Sequence, residues 1–303
     1  MICMQLKLEG IFPPHITPFL KNEEIDYVAL RELTHFWLDS GCTGLVSCAS
    51  NGEAASLDRA ERRQVLQTVL DETKSQTPII AGVGVPSTRE TITLGRDAKD
   101  AGAHAILVTT PYFYRHNARE LIEHYSRIAT SVDLPIIFYN VPKFTGYNVE
   151  AEVMAKLMLE YDQVVAVKDS GGSIGQISDL IRRISGKGTV LAGTADVLLP
   201  ALLLGAKGGI LAVANVAPQL CVNIYSAFIK NDLKTARTLQ LRLVELNELL
   251  VKKFNQISAI KEAMNTLGKK AGIPRRPSLP VDDNARKEIH EKLLVLQTAK
   301  MVT

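Results

Sequence analysis

The sequence predicts an α/β fold, a (β/α)8 barrel with a C-terminal helical extension. Three observations point to it. Short, continuous apolar runs recur along the first two-thirds of the chain, each followed by a turn and an amphipathic stretch. These runs number eight, the count at which a parallel sheet closes on itself. Beyond the eighth run the strand signal stops, and only helical patterns follow.

The expected strands cover residues 11–17, 44–47, 79–83, 105–109, 136–140, 164–169, 190–193 and 209–214. Most are apolar throughout rather than alternating, as in parallel strands covered on both faces. The intervening segments read as helices. Residues 26–40 carry Val28, Leu30, Leu33, Phe36 and Trp37 at helical spacing. Asp58 with Glu61, and Ser87 with Glu90, have capping-box spacing at helix starts. Gly41, Gly102 and Gly205 follow apolar helix ends, where a left-handed residue is common. Helical patterns then occupy 217–230, 233–253, 257–267 and 283–300, with a proline- and arginine-rich loop at 272–280. The expectation is a barrel over 1–220 and an extension over 221–303 packed on it, not an independent domain. An open doubly wound sheet is the alternative; the count of eight and the lack of a long edge strand favour closure.

Composition narrows the function. The 303 residues are 46% hydrophobic and 22% charged with a net charge of +3, which suits a globular enzyme. That balance carries no nucleic-acid footprint and no polybasic membrane anchor. The longest apolar stretch, 197–206, contains Pro200 and is too short to span a bilayer. Residues 1–10 lack the pattern of a secretory signal. Cys3, Cys42, Cys48 and Cys221 show no Cys-x-x-Cys pair, so they read as reduced thiols in a cytoplasmic protein. The histidines show no His-Glu-x-x-His pattern, and no metal is expected. Gly82-Val83-Gly84 lacks the third glycine of a dinucleotide fingerprint.

In a barrel the chemistry sits at the C-terminal ends of the strands. Lys168 follows Val164-Val165-Ala166-Val167 with no polar residue between, so its amine is expected inside the barrel mouth. Desolvation lowers a lysine pKa, and a neutral amine attacks carbonyls. The competing interpretation is a lysine that snorkels to solvent or pairs with Asp169. Tyr139 ends the preceding strand and could shuttle a proton, or could cap the barrel core. The loop Ser50-Asn51-Gly52-Glu53 offers hydroxyl, amide and backbone donors for a carboxylate, or forms only a tight turn. Gly193 could let backbone approach a ligand.

Taken together, these strand ends resemble the dihydrodipicolinate synthase / N-acetylneuraminate lyase superfamily of Schiff-base-forming barrels. The resemblance runs nearly the whole chain. It is carried by Gly10-Ile11, Thr17-Pro18-Phe19, Asn51-Gly52-Glu53, Thr110-Pro111-Tyr112, Tyr139-Asn140-Val141-Pro142, Thr145-Gly146, Val167-Lys168-Asp169-Ser170-Gly171-Gly172 and Ala214-Asn215-Val216. It implies that Lys168 forms an imine with pyruvate or another 2-keto acid. It implies that Tyr139 relays protons, with Ser50 linked to it, and that Asn51 holds the substrate carboxylate. The implied substrate-binding positions are Asn51, Gly52, Thr17, Gly193, Leu211, Tyr112 and Phe144. The imine itself serves as the electron sink, so no cofactor is expected. The expected partner is a small 2-keto acid, and the implied assembly is a homotetramer.

Two departures bear on the substrate. Dihydrodipicolinate synthases carry a relay tyrosine where this chain has Phe113, leaving Tyr112 or Tyr114 to substitute. They also carry a carboxylate-binding arginine where this chain has Phe144. The Ser-Asn-Gly-Glu and Lys-Asp-Ser-Gly-Gly sequences look more like 4-hydroxy-2-oxoglutarate and 2-keto-3-deoxy-sugar-acid aldolases. The leading expectation is therefore reversible cleavage of a 4-hydroxy-2-keto acid to pyruvate and an aldehyde. The alternatives are a dihydrodipicolinate synthase condensing pyruvate with aspartate semialdehyde, a sugar-acid dehydratase, and a keto-acid-binding protein without turnover.

Overall fold

A computed structural model describes residues 6–73 and 77–298; Cys3, half of the leading segment considered for a signal and the last two residues of the helix expected over 283–300 lie outside them. The eight strands are β1 (Gly10–Ile11), β2 (Leu45–Ser47), β3 (Ile79–Gly82), β4 (Ala105–Thr109), β5 (Ile136–Asn140), β6 (Val164–Asp169), β7 (Thr189–Ala192) and β8 (Gly208–Gly209). All pair in parallel, in the spatial order β1-β8-β7-β6-β5-β4-β3-β2. A parallel bridge from Pro14 to Val46 joins the chain after β1 to β2 and closes the ring. The helices are α1 (Tyr27–Asp39), α2 (Arg59–Asp71), α3 (Thr88–Ala101), α4 (Ala118–Ser131), the single turn α5 (Pro142–Thr145), α6 (Ala151–Glu160), α7 (Ile174–Ile184), α8 (Leu198–Leu204), α9 (Pro218–Ile229), α10 (Leu233–Asn247), α11 (Gln256–Thr266) and α12 (Asp283–Thr298).

The helix signals act as their chemistry requires. The Asp58 and Glu61 side chains each bond the other's backbone N–H, completing a capping box. Ser87 accepts from Glu90 N at 3.3 Å. Gly102 and Gly205 end α3 and α8 in the left-handed region. The helix after β8 runs continuously from Pro218 to Ile229, through residue 220. The stretch expected to be helical to residue 253 leaves the α-helical path at Asn247 and continues as a π-helical turn, Glu248–Lys253. No helix among the described residues is long and apolar enough to cross a membrane.

Two expected strands are shorter than their apolar runs. After β1, Pro13 and Pro14 remove consecutive N–H donors, so regular pairing stops. After β8, Ile210 N still bonds Ala192 O at 2.9 Å, but the chain then turns into a 3-10 segment, Ala212–Asn215. That turn places Asn215 between the two short strands. Its Oδ1 accepts from Ile16 N at 3.0 Å, and its Nδ2 donates to Pro14 O and Ala212 O at 3.0 Å each. The Trp37 indole donates to the backbone of the same residue at 3.1 Å. Gly208 and Gly10 permit the close approach, since a Cβ on Gly208 would meet Gly10 O at 1.9 Å.

The apolar residues divide by strand parity into two cores. Val46, Ile80, Leu107, Ile137, Ala166 and Leu191 fill the barrel interior. Their neighbours along the strands, such as Leu45, Ile106, Phe138, Val167 and Val190, face the helical layer. This is the two-residue period of a strand, hidden in the sequence because both faces are apolar.

Asn215→Ala would strand backbone groups at the β1–β8 seam. The expected loss is about 3 kcal/mol or more at roughly 1–3 kcal/mol per orphaned group, measured by urea denaturation. Two buried histidines set the acid response. Burial pulls His15 and His124 from 6.5 down to about 4, against a raising backbone bond to Ile16 in the first case and with a further lowering by His116 in the second. The unfolded chain therefore binds protons that the folded chain refuses, and stability falls as the pH drops from about 6.5 towards 4. By pH 5 each histidine should cost about 2 kcal/mol. His124→Gln should remove its share of that slope, and an unchanged slope would contradict the assignment.

Candidate active site

The β5–β6 register sets Tyr139 beside Lys168 and Asn140 beside Asp169. Parity then separates the pairs. Tyr139 follows Ile137, and Lys168 follows Ala166, into the barrel interior. Asn140 and Asp169 turn the other way and are fully buried. Asp169 accepts from Asn140 Nδ2 and Gly171 N at 2.8 Å and from Gln176 Nε2 at 3.0 Å. Its carboxylate thus serves the strand ends and the start of α7. Lys168 is 2% exposed, so it does not snorkel to solvent.

The Lys168 amine lies 3.8 Å from the centroid of the Tyr139 ring. Burial pulls its pKa down, and the adjacent phenol only partly offsets this. Burial pushes the Tyr139 phenol up, but the Lys168 charge and side-chain hydrogen bonds from Ser50, Lys168 and Ser170 outweigh it, leaving the phenol lowered. Both groups are thus held below their ordinary values, the amine by burial and the phenol by the charge and hydrogen bonds around it, and perturbed neighbours of this kind mark a functional site.

The loop after β2 is held from several sides. The Thr17 hydroxyl donates to Gly52 O at 2.8 Å. Asn51 is 2% exposed and accepts from Gln256 Nε2 at 2.5 Å through its side-chain oxygen. Gln256 Oε1 in turn accepts from Lys143 Nζ at 3.0 Å, and Lys143 also donates to Val251 O at 2.7 Å in the π-helical turn. Glu53 sits in the left-handed region at φ 55° and meets Lys261 Nζ at 2.5 Å. Its other oxygen accepts from Arg275 N at 2.9 Å. Burial pushes the Glu53 carboxyl up despite Lys261, and pulls the Lys261 amine down to about 8 despite Glu53. Sequence reasoning did not single out Lys143, Gln256 or Lys261 as site residues. Lys261 did leave a trace, a charge at a position flanked by Ala259, Ile260, Ala263 and Met264 on a buried helix.

Two compartments share Ser50, Tyr139, Val141 and Phe144. The inner one, about 70 Å³, reaches Asn51, Lys168, Gly193 and Gln256. The outer one, about 290 Å³, is walled mainly by apolar groups and includes Tyr112. Phe113 and Tyr114 are 85% and 69% exposed and line neither compartment, so Tyr112 is the tyrosine of this segment that faces the site within one chain. Thr17 and Leu211 do not line the inner compartment. Thr17 props the loop from behind, and Leu211 packs in the outer core between strands and helices. A Cβ on Gly193 would meet Ser170 Oγ at 2.1 Å, so that glycine makes room for the Ser170 hydroxyl. Among the described residues no cluster of three or more His, Cys, Asp or Glu is placed to hold a metal ion.

This geometry can be set beside known proteins. The model of the dihydrodipicolinate synthetase family matches residues 7–295. A 4-hydroxy-tetrahydrodipicolinate synthase of Methanothrix thermoacetophila is 39% identical, covering 94% of this chain and 95% of its own length. One from Methanopyrus kandleri is 36% identical over 96% and 97%. The crystal structure of dihydrodipicolinate synthase from Aquifex aeolicus superposes with a TM-score of 0.91 at 32% identity, covering 97% and 99% of the two chains. YagE, a prophage protein of the dihydrodipicolinic acid synthase family from E. coli K12 solved with pyruvate, gives 0.92 at 29% identity over 98% and 100%. The names of the sequence relatives agree with the synthase alternative better than with the leading retro-aldol expectation. With a family match through both barrel and extension, and relatives covered over almost their whole length, this chain belongs to the dihydrodipicolinate synthetase family.

Proposed function

We propose that the chain is a pyruvate-dependent, Schiff-base-forming carbon–carbon lyase that condenses pyruvate with aspartate semialdehyde. The observation that carries the chemistry is the buried pair of Lys168 and Tyr139, adjacent in register and both turned into the barrel mouth. The named relatives support the semialdehyde as second substrate.

The steps follow from the residues. The neutral Lys168 amine attacks the keto carbon of pyruvate, whose carboxylate Asn51 and the loop N–H groups hold. The Tyr139 phenol protonates the carbinolamine hydroxyl, which leaves as water, and the imine remains on Lys168. The Tyr139 phenolate so formed takes a proton from the methyl carbon, which gives the enamine and restores the phenol. The enamine carbon attacks the aldehyde, and the new alkoxide takes a proton from the phenol, with Ser50 hydrogen-bonded to the same oxygen. Hydrolysis then frees the product and the amine. The imine supplies the electron sink, so the sequence of steps needs no metal or organic cofactor. A homotetramer in the cytoplasm goes with this reading; family membership supports it, as do the free, buried Cys42, Cys48 and Cys221.

One feature favours a second reading, retro-aldol cleavage of a 4-hydroxy-2-keto acid with an apolar tail. Phe144, 47% exposed, stands at the wall shared by the two compartments, where a carboxylate clamp would need a cation.

Borohydride reduction in the presence of pyruvate should leave an adduct on the peptide carrying Lys168; folded protein without it would overturn the Schiff-base assignment. The same protein should consume pyruvate only when aspartate semialdehyde is added. Pyruvate release from 4-hydroxy-2-oxoglutarate alone would instead favour the second reading. Loss of a sugar acid without pyruvate would mark a dehydratase, and an adduct without any turnover a binding protein. Tyr139→Phe should keep the fold and lower kcat by about 10²–10⁴-fold, read in steady-state kinetics.

A further inference from the structure

Lys143, Gln256 and Asn51 form a chain of hydrogen bonds whose polarity admits one arrangement. An ammonium has three donors and no acceptor. Lys143 gives one of its hydrogens to Val251 O and another to Gln256 Oε1. The amide oxygen of Gln256 is thereby committed to Lys143, so the group it offers Asn51 is its NH2. Asn51 must answer with its oxygen, and the 2.5 Å contact between Gln256 Nε2 and Asn51 Oδ1 is that contact. The Asn51 NH2 is then the end left over. Asn51, Gln256 and Lys143 all border the inner compartment that holds Lys168.

We propose that Gln256 and Lys143 are positioning residues that fix the orientation of the Asn51 amide, so that it presents donors to the keto-acid carboxylate. This rests on the reading of the inner compartment as a pyruvate site. An unrestrained asparagine could turn either end to the substrate, and its carbonyl oxygen would repel a carboxylate. The lysine settles the choice two side chains away, through the amide of Gln256. The device also explains why the extension reaches the barrel mouth here: Gln256 opens α11, and Val251 belongs to the π-helical turn before it.

The test is the pyruvate dependence of borohydride trapping on the full chain. Gln256→Glu keeps the bond to Lys143 but offers Asn51 only acceptors, so the Asn51 amide must turn its NH2 away from the substrate. The concentration of pyruvate at half-maximal trapping should rise about tenfold or more, with the maximal adduct on Lys168 and its pH profile unchanged. Lys143→Arg, which still only donates, should stay near wild type. In an Asn51→Ala background the Gln256→Glu effect should vanish, because the two act through one amide. A tenfold effect that persists in that background would mean direct repulsion by the new carboxylate and would overturn the proposal. So would an unchanged half-saturation in Gln256→Glu, or a loss of maximal adduct together with thermal stability, the mark of a merely structural role. Absence of any adduct in the wild type would instead sink the pyruvate reading itself, and this inference with it.

Discussion

A side chain enters the interior of a closed barrel only if it stands at the right parity on its strand, and two such side chains meet only if the register aligns them. Tyr139 and Lys168 satisfy both conditions. The rest of the site depends on that geometry. It removes the lysine from water, which lowers its pKa, and supplies a phenol as the nearest proton partner. It also explains the paired motifs Tyr139-Asn140 and Lys168-Asp169. The first member of each points into the barrel, while the second points outward and locks the strand ends through the Asn140–Asp169 bond at 2.8 Å.

The extension is part of the site in a physical sense. Its α11 and the segment that follows it carry Lys261 and Arg275 onto Glu53, and Gln256 onto Asn51. A buried charge pair such as Glu53–Lys261 contributes little net stability, because desolvation opposes the attraction. What it contributes is position, since neither charge can leave its partner without stranding the other. The loop that bears Asn51 is therefore fixed by charge from one side and by the Thr17 hydroxyl from the other. That places Thr17 among the supports of the loop, while Leu211, one residue out of phase with Ile210, belongs to the outer core.

Substrate choice hangs on a smaller number of groups. The inner compartment gathers the polar groups of Ser50, Asn51, Lys168 and Gln256, which suit the keto acid of the proposed reaction. The outer one is mainly apolar, with Phe144 on the shared wall and Tyr112 at its edge. Family membership and the named relatives draw the reading towards condensation with a semialdehyde, whereas this wall draws it towards an apolar aldehyde. The chemistry at Lys168 is common to both.

Much of this was legible in the amino-acid order. Eight apolar runs separated by capped amphipathic helices specify a parallel barrel, because helix caps and continuous apolar strands are local in origin. The strand-end lysine, the tyrosine and the Ser-Asn-Gly-Glu loop were equally visible, since barrel chemistry gathers at strand ends. Tertiary structure decided the remainder. Apolar residues on both faces of a buried strand erase the inside–outside signal, so only register and closure showed that Lys168 faces Tyr139 and Leu211 does not face the site. The proline pair after β1 and the turn after β8 shortened strands whose composition promised more. Gln256, Lys143 and Lys261 lie far along the chain from the residues they serve, and no spacing in a sequence encodes such contacts. The sequence by itself determined the barrel and the lysine, tyrosine and loop that stand at its strand ends. Packing of the extension on the barrel mouth decided how those groups are held, because a hydrogen bond between distant segments exists only once the chain has closed around it.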